Sequence, residues 1–105
     1  MKLKITIKGD LGILRYIVKS EDSSFVSPSG KKQIDTQRFF KRFKEIINDW
    51  PKFLINPRMQ GGDDIEILFV DSDKREQYCY FKGYPPNYIE LIQLMEGIEN
   101  GRESY

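Results

Sequence analysis

Four cations share one face of a predicted helix and carry the clearest chemical potential of the chain: Arg38, Lys41, Arg42 and Lys44. They fall within about two turns, on the side opposite the apolar stripe of the helix. Cations at this spacing can lie along a phosphate backbone, in binding that weakens steeply as salt rises. The alternative is a solvated face of an amphipathic helix, in which Glu45 offsets part of the charge. The sequence leaves both interpretations open.

A second group of cations lies on a predicted N-terminal hairpin. Residues 2–8 alternate polar and apolar, the period of a half-buried strand. A Gly-Asp turn at 9–10 then leads into a strand over 11–19, which sets Lys4 opposite Arg15. One face of this hairpin carries mostly polar side chains: Lys2, Lys4, Thr6, Lys8, Ile13, Arg15 and Ile17.

Tyrosines of a second predicted hairpin could complete this surface. Strands over 65–70 and 77–84 put four side chains on a face that is turned either to the core or to solvent: Ile67, Phe69, Tyr78 and Tyr80. If that face is open, lysines lie beside tyrosines. Single-strand binders use this combination to hold phosphates and to stack bases, at roughly 1–3 kcal/mol per base. The alternative is that the rings lie in the core and that the lysines of residues 2–8 guard an edge strand against aggregation.

Tyr84 extends the aromatic group toward a C-terminal helix. Tyrosine combines ring area with a hydroxyl group, which suits it to interfaces. The alternative is that these rings close the core where strand meets helix, which is the interpretation we prefer for Tyr88. Tyr84 stays a candidate binding residue beside Tyr78 and Tyr80.

Catalytic chemistry has little support in this sequence. The chain has no histidine, which removes the commonest general base and the usual transition-metal ligand. Its one cysteine, Cys79, lies mid-strand, where cysteine is usually a small buried hydrophobe. The carboxylates over 63–76 lack the pattern of a calcium loop, and Gly61-Gly62 lacks the Gly-Lys-Ser/Thr end of a phosphate loop. We therefore expect no catalytic residue, no cofactor and no metal site.

The elements that must position these side chains are predicted in the order strand, strand, helix, and this order occurs twice along the chain. The first helix begins at the N-cap Asp35 and ends at Pro51. The second begins at a capping box formed by Asn87 and Glu90. Residues 20–32 have the composition of a loop, with room for a short extended piece at Phe25-Val26. The economical packing is an α+β fold of ββαββα order, an antiparallel four-stranded sheet with both amphipathic helices on one face.

Length and composition predict a single α+β domain over residues 1–101, followed by a loose tail at 102–105. A chain of 105 residues is one domain's worth, and 39% hydrophobic content is enough for one core. A single cysteine allows no intrachain disulfide, which favours a reducing, cytoplasmic location. The alternating N-terminus is unlike a signal peptide, and no apolar run approaches the ~20 residues of a membrane span.

The charge of the chain is unevenly distributed along its length. Residues 1–52 hold 12 Lys/Arg against 6 Asp/Glu, whereas residues 53–105 hold 5 against 10. Such asymmetry hints at a charged partner. We expect a small non-enzymatic protein, in the first place a protein-binding regulator or adaptor. The alternative is a nucleic-acid-binding protein that uses the basic helix face or the lysine-bearing sheet face. Self-association, including a homodimer, is a further outcome that a charge dipole allows.

Overall fold

A computed structural model describes residues 1–10, 12–48, 64–83 and 87–101. One antiparallel sheet holds six strands: β1 (Lys2–Gly9), β2 (Gly12–Lys19), β3 (Ser24–Ser27), β4 (Gly30–Gln33), β5 (Asp64–Val70) and β6 (Glu76–Lys82). Their order across the sheet is β4-β3-β2-β1-β5-β6. Two helices, α1 (Thr36–Ile47) and α2 (Tyr88–Glu99), contribute buried side chains to one core with one face of this sheet. The α+β class is confirmed.

The expected four-stranded sheet and ββαββα order are wrong, because residues 20–32 are not a loop. They contain β3 and most of β4, which form a hairpin on the outer side of β2. Phe25 is fully buried opposite Val18. Ser27 pairs with Gly30, which leaves Pro28 and Ser29 as turn residues of the kind that tight turns favour. The Ser, Gly and Pro content that indicated a loop therefore belongs to the turn of a short hairpin.

The β1–β2 register differs from the expected one by two residues. Gly9 pairs with Gly12, and Lys4 lies opposite Ile17 instead of Arg15. A shift of two residues leaves every side chain on its expected face, because side chains alternate with a period of two. The predicted lysine-bearing face of this hairpin is therefore present, and it consists of the predicted residues.

The β5–β6 register separates residues that we expected to share a face. Ile67 pairs with Cys79, so Ile67 and Phe69 lie on the helix-covered face, together with Phe81. Tyr78 and Tyr80 lie on the other face, because each alternates with a residue of the core. The prediction that these four side chains share one face was wrong. The pairing of β6, which begins at Glu76, with β5 is shifted by one residue from the pairing that we assumed.

The first helix forms as the sequence predicted. The Asp35 side chain accepts a hydrogen bond from the Arg38 amide at 3.2 Å, which confirms the N-cap. The rings of Phe40 and Phe43 meet Phe69 of β5 at centroid distances of 5.9 and 5.5 Å. These contacts seat the apolar stripe of α1 on the sheet and turn its cations away from it. The expected stop at Pro51 lies outside the described residues.

The second helix is held differently from the prediction. Asn87 has a φ of 61° and makes no side-chain cap, so the expected capping box is absent. Its side-chain amide donates instead to the Ile46 carbonyl at 3.1 Å, which joins the start of α2 to the end of α1. The Lys32 ammonium of β4 donates to the carbonyls of Ile98 and Glu99 at 3.0 and 2.6 Å, and so caps the C-terminus of α2.

Neither helix of the described residues is both long and apolar enough to cross a membrane. The tail predicted at 102–105 lies outside the part of the chain that the structure describes.

Candidate functional site

The face of the sheet that the helices leave uncovered, hereafter the open face, carries most of the sheet's charge. The strand registers put ten charged side chains on it: Lys2, Lys4, Lys8, Arg15, Lys19, Lys31, Lys82, Asp64, Glu66 and Glu76. Seven of these are cations and three are carboxylates. Tyr78 and Tyr80 lie on the same face. The arrangement of lysines beside tyrosines, which the sequence predicted conditionally, is therefore present.

Lys4 lies near the centre of this face. One row of paired residues crosses all six strands in the order Lys31, Val26, Ile17, Lys4, Leu68 and Tyr78. Lys4 is exposed between two aliphatic side chains, and Tyr78, two strands away, is 47% exposed. Neighbouring strands lie about 4.8 Å apart, so the backbones of Lys4 and Tyr78 are about 10 Å apart across the sheet. A cation and a ring at this separation can contact neighbouring parts of one extended ligand.

The strand topology removes the edge-guarding interpretation of the lysines on β1. β1 pairs with β2 on one side and with β5 on the other, so it is an interior strand. Lysines that guard against edge-to-edge pairing belong on edge strands. Lys2, Lys4 and Lys8 therefore need another explanation, either solvation of the open face or recognition of an anion.

The cations of the open face differ in whether a carboxylate lies close enough to neutralise their charge. The Lys8 ammonium lies 3.6 Å from the Glu66 carboxylate, and Lys31 lies 3.6 Å from Asp22. Among the described residues, Lys2, Lys4 and Arg15 have no carboxylate within ion-pair distance. The free positive charge is therefore concentrated on β1 and β2.

Tyr80 is tied to a carboxylate, whereas Tyr78 presents its ring more freely. The Tyr80 hydroxyl donates to Asp64 Oδ1 at 3.1 Å. This hydrogen bond is the main reason that the pKa of Tyr80 is raised, and partial desolvation and the charges of Asp64 and Glu66 add to it. The hydroxyl of Tyr80 therefore stays protonated and oriented, and Tyr78 is the ring better placed to stack on a ligand.

The basic helix face lies on the opposite side of the molecule. Arg38, Lys41 and Lys44 are exposed, and Arg42 contacts the Glu45 carboxylate at 3.4 Å. A surface cleft of about 310 Å³ is lined in part by four side chains of this face: Arg38, Lys41, Arg42 and Glu45. Because α1 packs on the covered face of the sheet, one short ligand cannot contact this helix face and the open face together.

The remaining candidates are placed as follows. Tyr88 is half-buried and packs against the core, as we preferred, whereas Tyr84 lies outside the described residues. Cys79 is half-buried, and burial raises the pKa of its thiol, which disfavours the nucleophilic thiolate. Within the described ranges, no group of three or more potential metal ligands comes together. Gly61-Gly62 lies outside those ranges.

Sequence reasoning missed three cations of the open face: Lys19, Lys31 and Lys82. Lys19 could have been found, since it continues the period-two alternation of Arg15 and Ile17 on β2. Lys31 required the β3–β4 hairpin, and Lys82 required the β5–β6 register. Both depend on long-range pairing that no local pattern displays.

Comparison with known proteins gives no family or function for this chain. No protein-family model, curated protein or solved structure matches the chain. The side chains that the fold brings together are therefore the basis on which a function can be proposed.

Proposed function

We propose that this protein is a non-enzymatic binding protein whose open sheet face binds single-stranded nucleic acid. The observation that carries the proposal is the position of the lysines of β1, an interior strand, on the same uncovered face as Tyr78 and Tyr80. Exposed cations without a local carboxylate attract phosphates, and exposed rings stack on bases. A sheet surface with both groups is a stacking platform with an electrostatic component.

Each part of the face has a separate task in this proposal. Lys2, Lys4 and Arg15 contact phosphates of the strand, and Tyr78 stacks on a base about two strands away. Bases must be unstacked to lie on a ring, which favours single strands over duplexes. Stacking and phosphate contacts are indifferent to base identity, so we expect weak sequence preference and strong salt dependence.

A protein partner, our first expectation from the sequence, finds less support on the surface. The large apolar side chains that stand exposed in the described part of the chain are Ile13, Leu14, Tyr78 and Ile89. Ile13 and Leu14 are neighbours on opposite faces of β2, and Ile89 belongs to α2. These side chains are spread over the molecule, whereas Lys2, Lys4, Arg15 and Lys19 lie together on β1 and β2. The concentrated feature is the basic one, and it fits a polyanion.

The test compares two triple replacements that remove equal charge. Fluorescence anisotropy measures binding of a labelled single-stranded oligonucleotide of mixed sequence. We expect Lys2→Ala/Lys4→Ala/Arg15→Ala to abolish most of the affinity. Three phosphate contacts imply that a fourfold rise in salt, from about 50 to about 200 mM, weakens wild-type binding roughly 20-fold.

The matched control is Lys41→Ala/Arg42→Ala/Lys44→Ala, which removes three cations from α1. We expect it to change affinity by less than about threefold, since it lies on the other side of the molecule and acts only through net charge. Equal losses in both variants, or a larger loss in the helix variant, would refute the sheet site. No binding of either DNA or RNA by the wild type at low salt would refute the function and favour a protein partner.

A further inference from the structure

We propose that the protein forms a symmetric homodimer through the edge of β6 that faces away from β5, which pairs antiparallel with β6 of a second copy. The inference is independent of nucleic-acid binding. It rests on the edge of β6 that stays unpaired within the part of the chain that the structure describes, on the direction of its backbone hydrogen bonds and on its charge pattern. The register it predicts is centred on Cys79.

The two edges of the sheet differ in how they are protected. β4 is only four residues long and carries Lys31 and Lys32. A short length and lysine side chains both protect an edge strand against pairing with another strand. β6 is seven residues long, from Glu76 to Lys82, and its five inner residues carry no charge, no proline and no glycine. Within the described ranges, β6 pairs on one side only, with β5. A strand of this kind is a template for another strand.

The hydrogen bonds of the β5–β6 hairpin determine which backbone groups of β6 point outward. The Asp71 amide donates to the Arg75 carbonyl at 3.0 Å, so this pair is of the hydrogen-bonded type. Hydrogen-bonded and non-hydrogen-bonded pairs alternate along an antiparallel ladder. Ile67 and Cys79 are therefore a hydrogen-bonded pair. The residues of β6 that direct their amide and carbonyl groups away from β5 are Glu76, Tyr78, Tyr80 and Lys82.

One self-pairing register satisfies all four outward residues. It sets Glu76 opposite the partner's Lys82 and Tyr78 opposite the partner's Tyr80, with the same pairs repeated by symmetry. Such a register joins opposite charges at both ends and rings in the middle, pairings that stabilise antiparallel strands. Cys79 then faces its own copy as a non-hydrogen-bonded pair. The interface is isologous and closed, as most homodimer interfaces are.

The dimer would be one continuous sheet of twice the width. Side chains of opposite residues lie on the same face of an antiparallel pair, so the open faces of both copies point the same way. Tyr78 and Tyr80 of both copies would meet at the centre, between the basic areas of the two β1 strands. If the open face binds nucleic acid, dimerisation lengthens the site, but dimerisation itself needs no ligand.

Disulfide trapping tests the register directly. Opposed residues in a non-hydrogen-bonded pair have Cα atoms about 4.5 Å apart, within the span of a disulfide. We therefore expect mild oxidation to convert the wild type to a covalent dimer, seen on a non-reducing gel at low protein concentration. The matched control is Cys79→Ser/Gln77→Cys. Gln77 lies on the same face but four residues from its own copy in this register, about 13 Å away, so this variant should stay monomeric on the gel.

Charge reversal tests the pairing without chemistry at the cysteine. Glu76→Lys places two lysines opposite each other at both ends of the interface, and we expect the dimer dissociation constant from sedimentation equilibrium to rise at least about tenfold. Lys82→Glu should act likewise, and the double reversal should restore most of the affinity. Thermal melts verify that each variant is folded. A wild type that sediments as a monomer at all concentrations, or equal trapping of the Gln77 control, would overturn the proposal.

Discussion

At the scale of single residues, the surroundings of Lys4 suit it to the phosphate contact that we propose. Ile17 and Leu68 lie on either side of it in the neighbouring strands. The aliphatic part of a lysine can cover such apolar neighbours while its ammonium group stays in water. The head group is then held near a constant position above the sheet. A cation held in this way loses less freedom on binding a phosphate than one on a mobile loop.

Tyr78 should act through its ring and not through its hydroxyl. Tyr78→Ala removes a stacking surface, and we expect a loss of about 1–3 kcal/mol of binding free energy to single-stranded oligonucleotide. Tyr78→Phe keeps the ring and should bind within about twofold of the wild type. Anisotropy titrations of both variants measure the difference. If the phenylalanine variant lost as much affinity as the alanine variant, a hydrogen bond and not stacking would be the basis of binding.

The hydrogen bond between Tyr80 and Asp64 makes a prediction about pH. It holds the phenol in its protonated form and so raises the pKa of Tyr80. Asp64→Asn removes the charge that stabilises the proton, and the pKa of Tyr80 should fall toward its ordinary value of about 10. The contribution to stability follows the same sign, since it is present at neutral pH and is lost as pH rises through the folded-state pKa. Ultraviolet titration, with Tyr80→Phe to identify the signal, measures the shift, and an unchanged pKa would contradict the contact.

At the scale of elements, the β3–β4 hairpin does more than widen the sheet, because it also holds α2. Lys32 reaches from β4 to the last carbonyls of that helix. These carbonyls lie at the negative end of the helix dipole, and the Ile98 carbonyl also accepts from the Gly101 amide just beyond the helix at 3.1 Å. The β3–β4 hairpin thus supplies a C-terminal cap for α2, although the two are far apart in sequence.

Replacement of Lys32 should therefore destabilise the fold more than replacement of its neighbour. Lys32→Met keeps the aliphatic stem but removes the donor, and we expect a loss of about 1 kcal/mol in the free energy of unfolding by urea. Lys31→Met is the matched control. Its ammonium makes an exposed ion pair with Asp22, which is worth about 0–1 kcal/mol. Equal losses in the two variants would show that the helix cap contributes nothing.

The place of β3 in the sheet can be tested by truncating its buried ring. Phe25 is fully buried, and its ring centroid lies 6.1 Å from that of Tyr16. Phe25→Ala should cost about 3–5 kcal/mol, as for other buried aromatic residues. Val26→Ala, on the open face of the same strand, should cost clearly less. Urea denaturation of both variants measures this, and a near-neutral Phe25→Ala would mean that the segment is a loop, as its composition first indicated.

Local signals in the sequence identify those elements whose determinants lie within a few residues. Asp35 and the phenylalanines of α1 are such signals, and so is the alternation of β1. The lysine face was predictable even though the turn was misplaced, because an error of two residues preserves side-chain direction. The face of Tyr78 was not, because it depends on how many residues the β5–β6 connection holds. The β3–β4 hairpin was missed because the burial of Phe25 depends on its pairing with Val18.

At the scale of the whole molecule, folding mixes the charges that the sequence separates. β1, from the basic half of the chain, pairs directly with β5, from the acidic half, and Lys8 meets Glu66 across that junction. Within the sheet, the basic and acidic halves of the chain are therefore direct neighbours. Two separate basic surfaces remain, one on β1 and β2 and the other on α1. Because they lie on opposite sides of the molecule, their contributions to binding can be measured separately.

The most direct test of the central claim is a map of amide chemical shifts in two-dimensional NMR spectra as a single-stranded oligonucleotide is added. We predict that the largest changes fall on Lys4, Ile17, Leu68 and Tyr78, the residues that share one row of the open face. Amides of α1 around Lys41 should hardly move. Changes confined to α1, or a spectrum that does not change at low salt, would contradict the assignment of the open face as a nucleic-acid site.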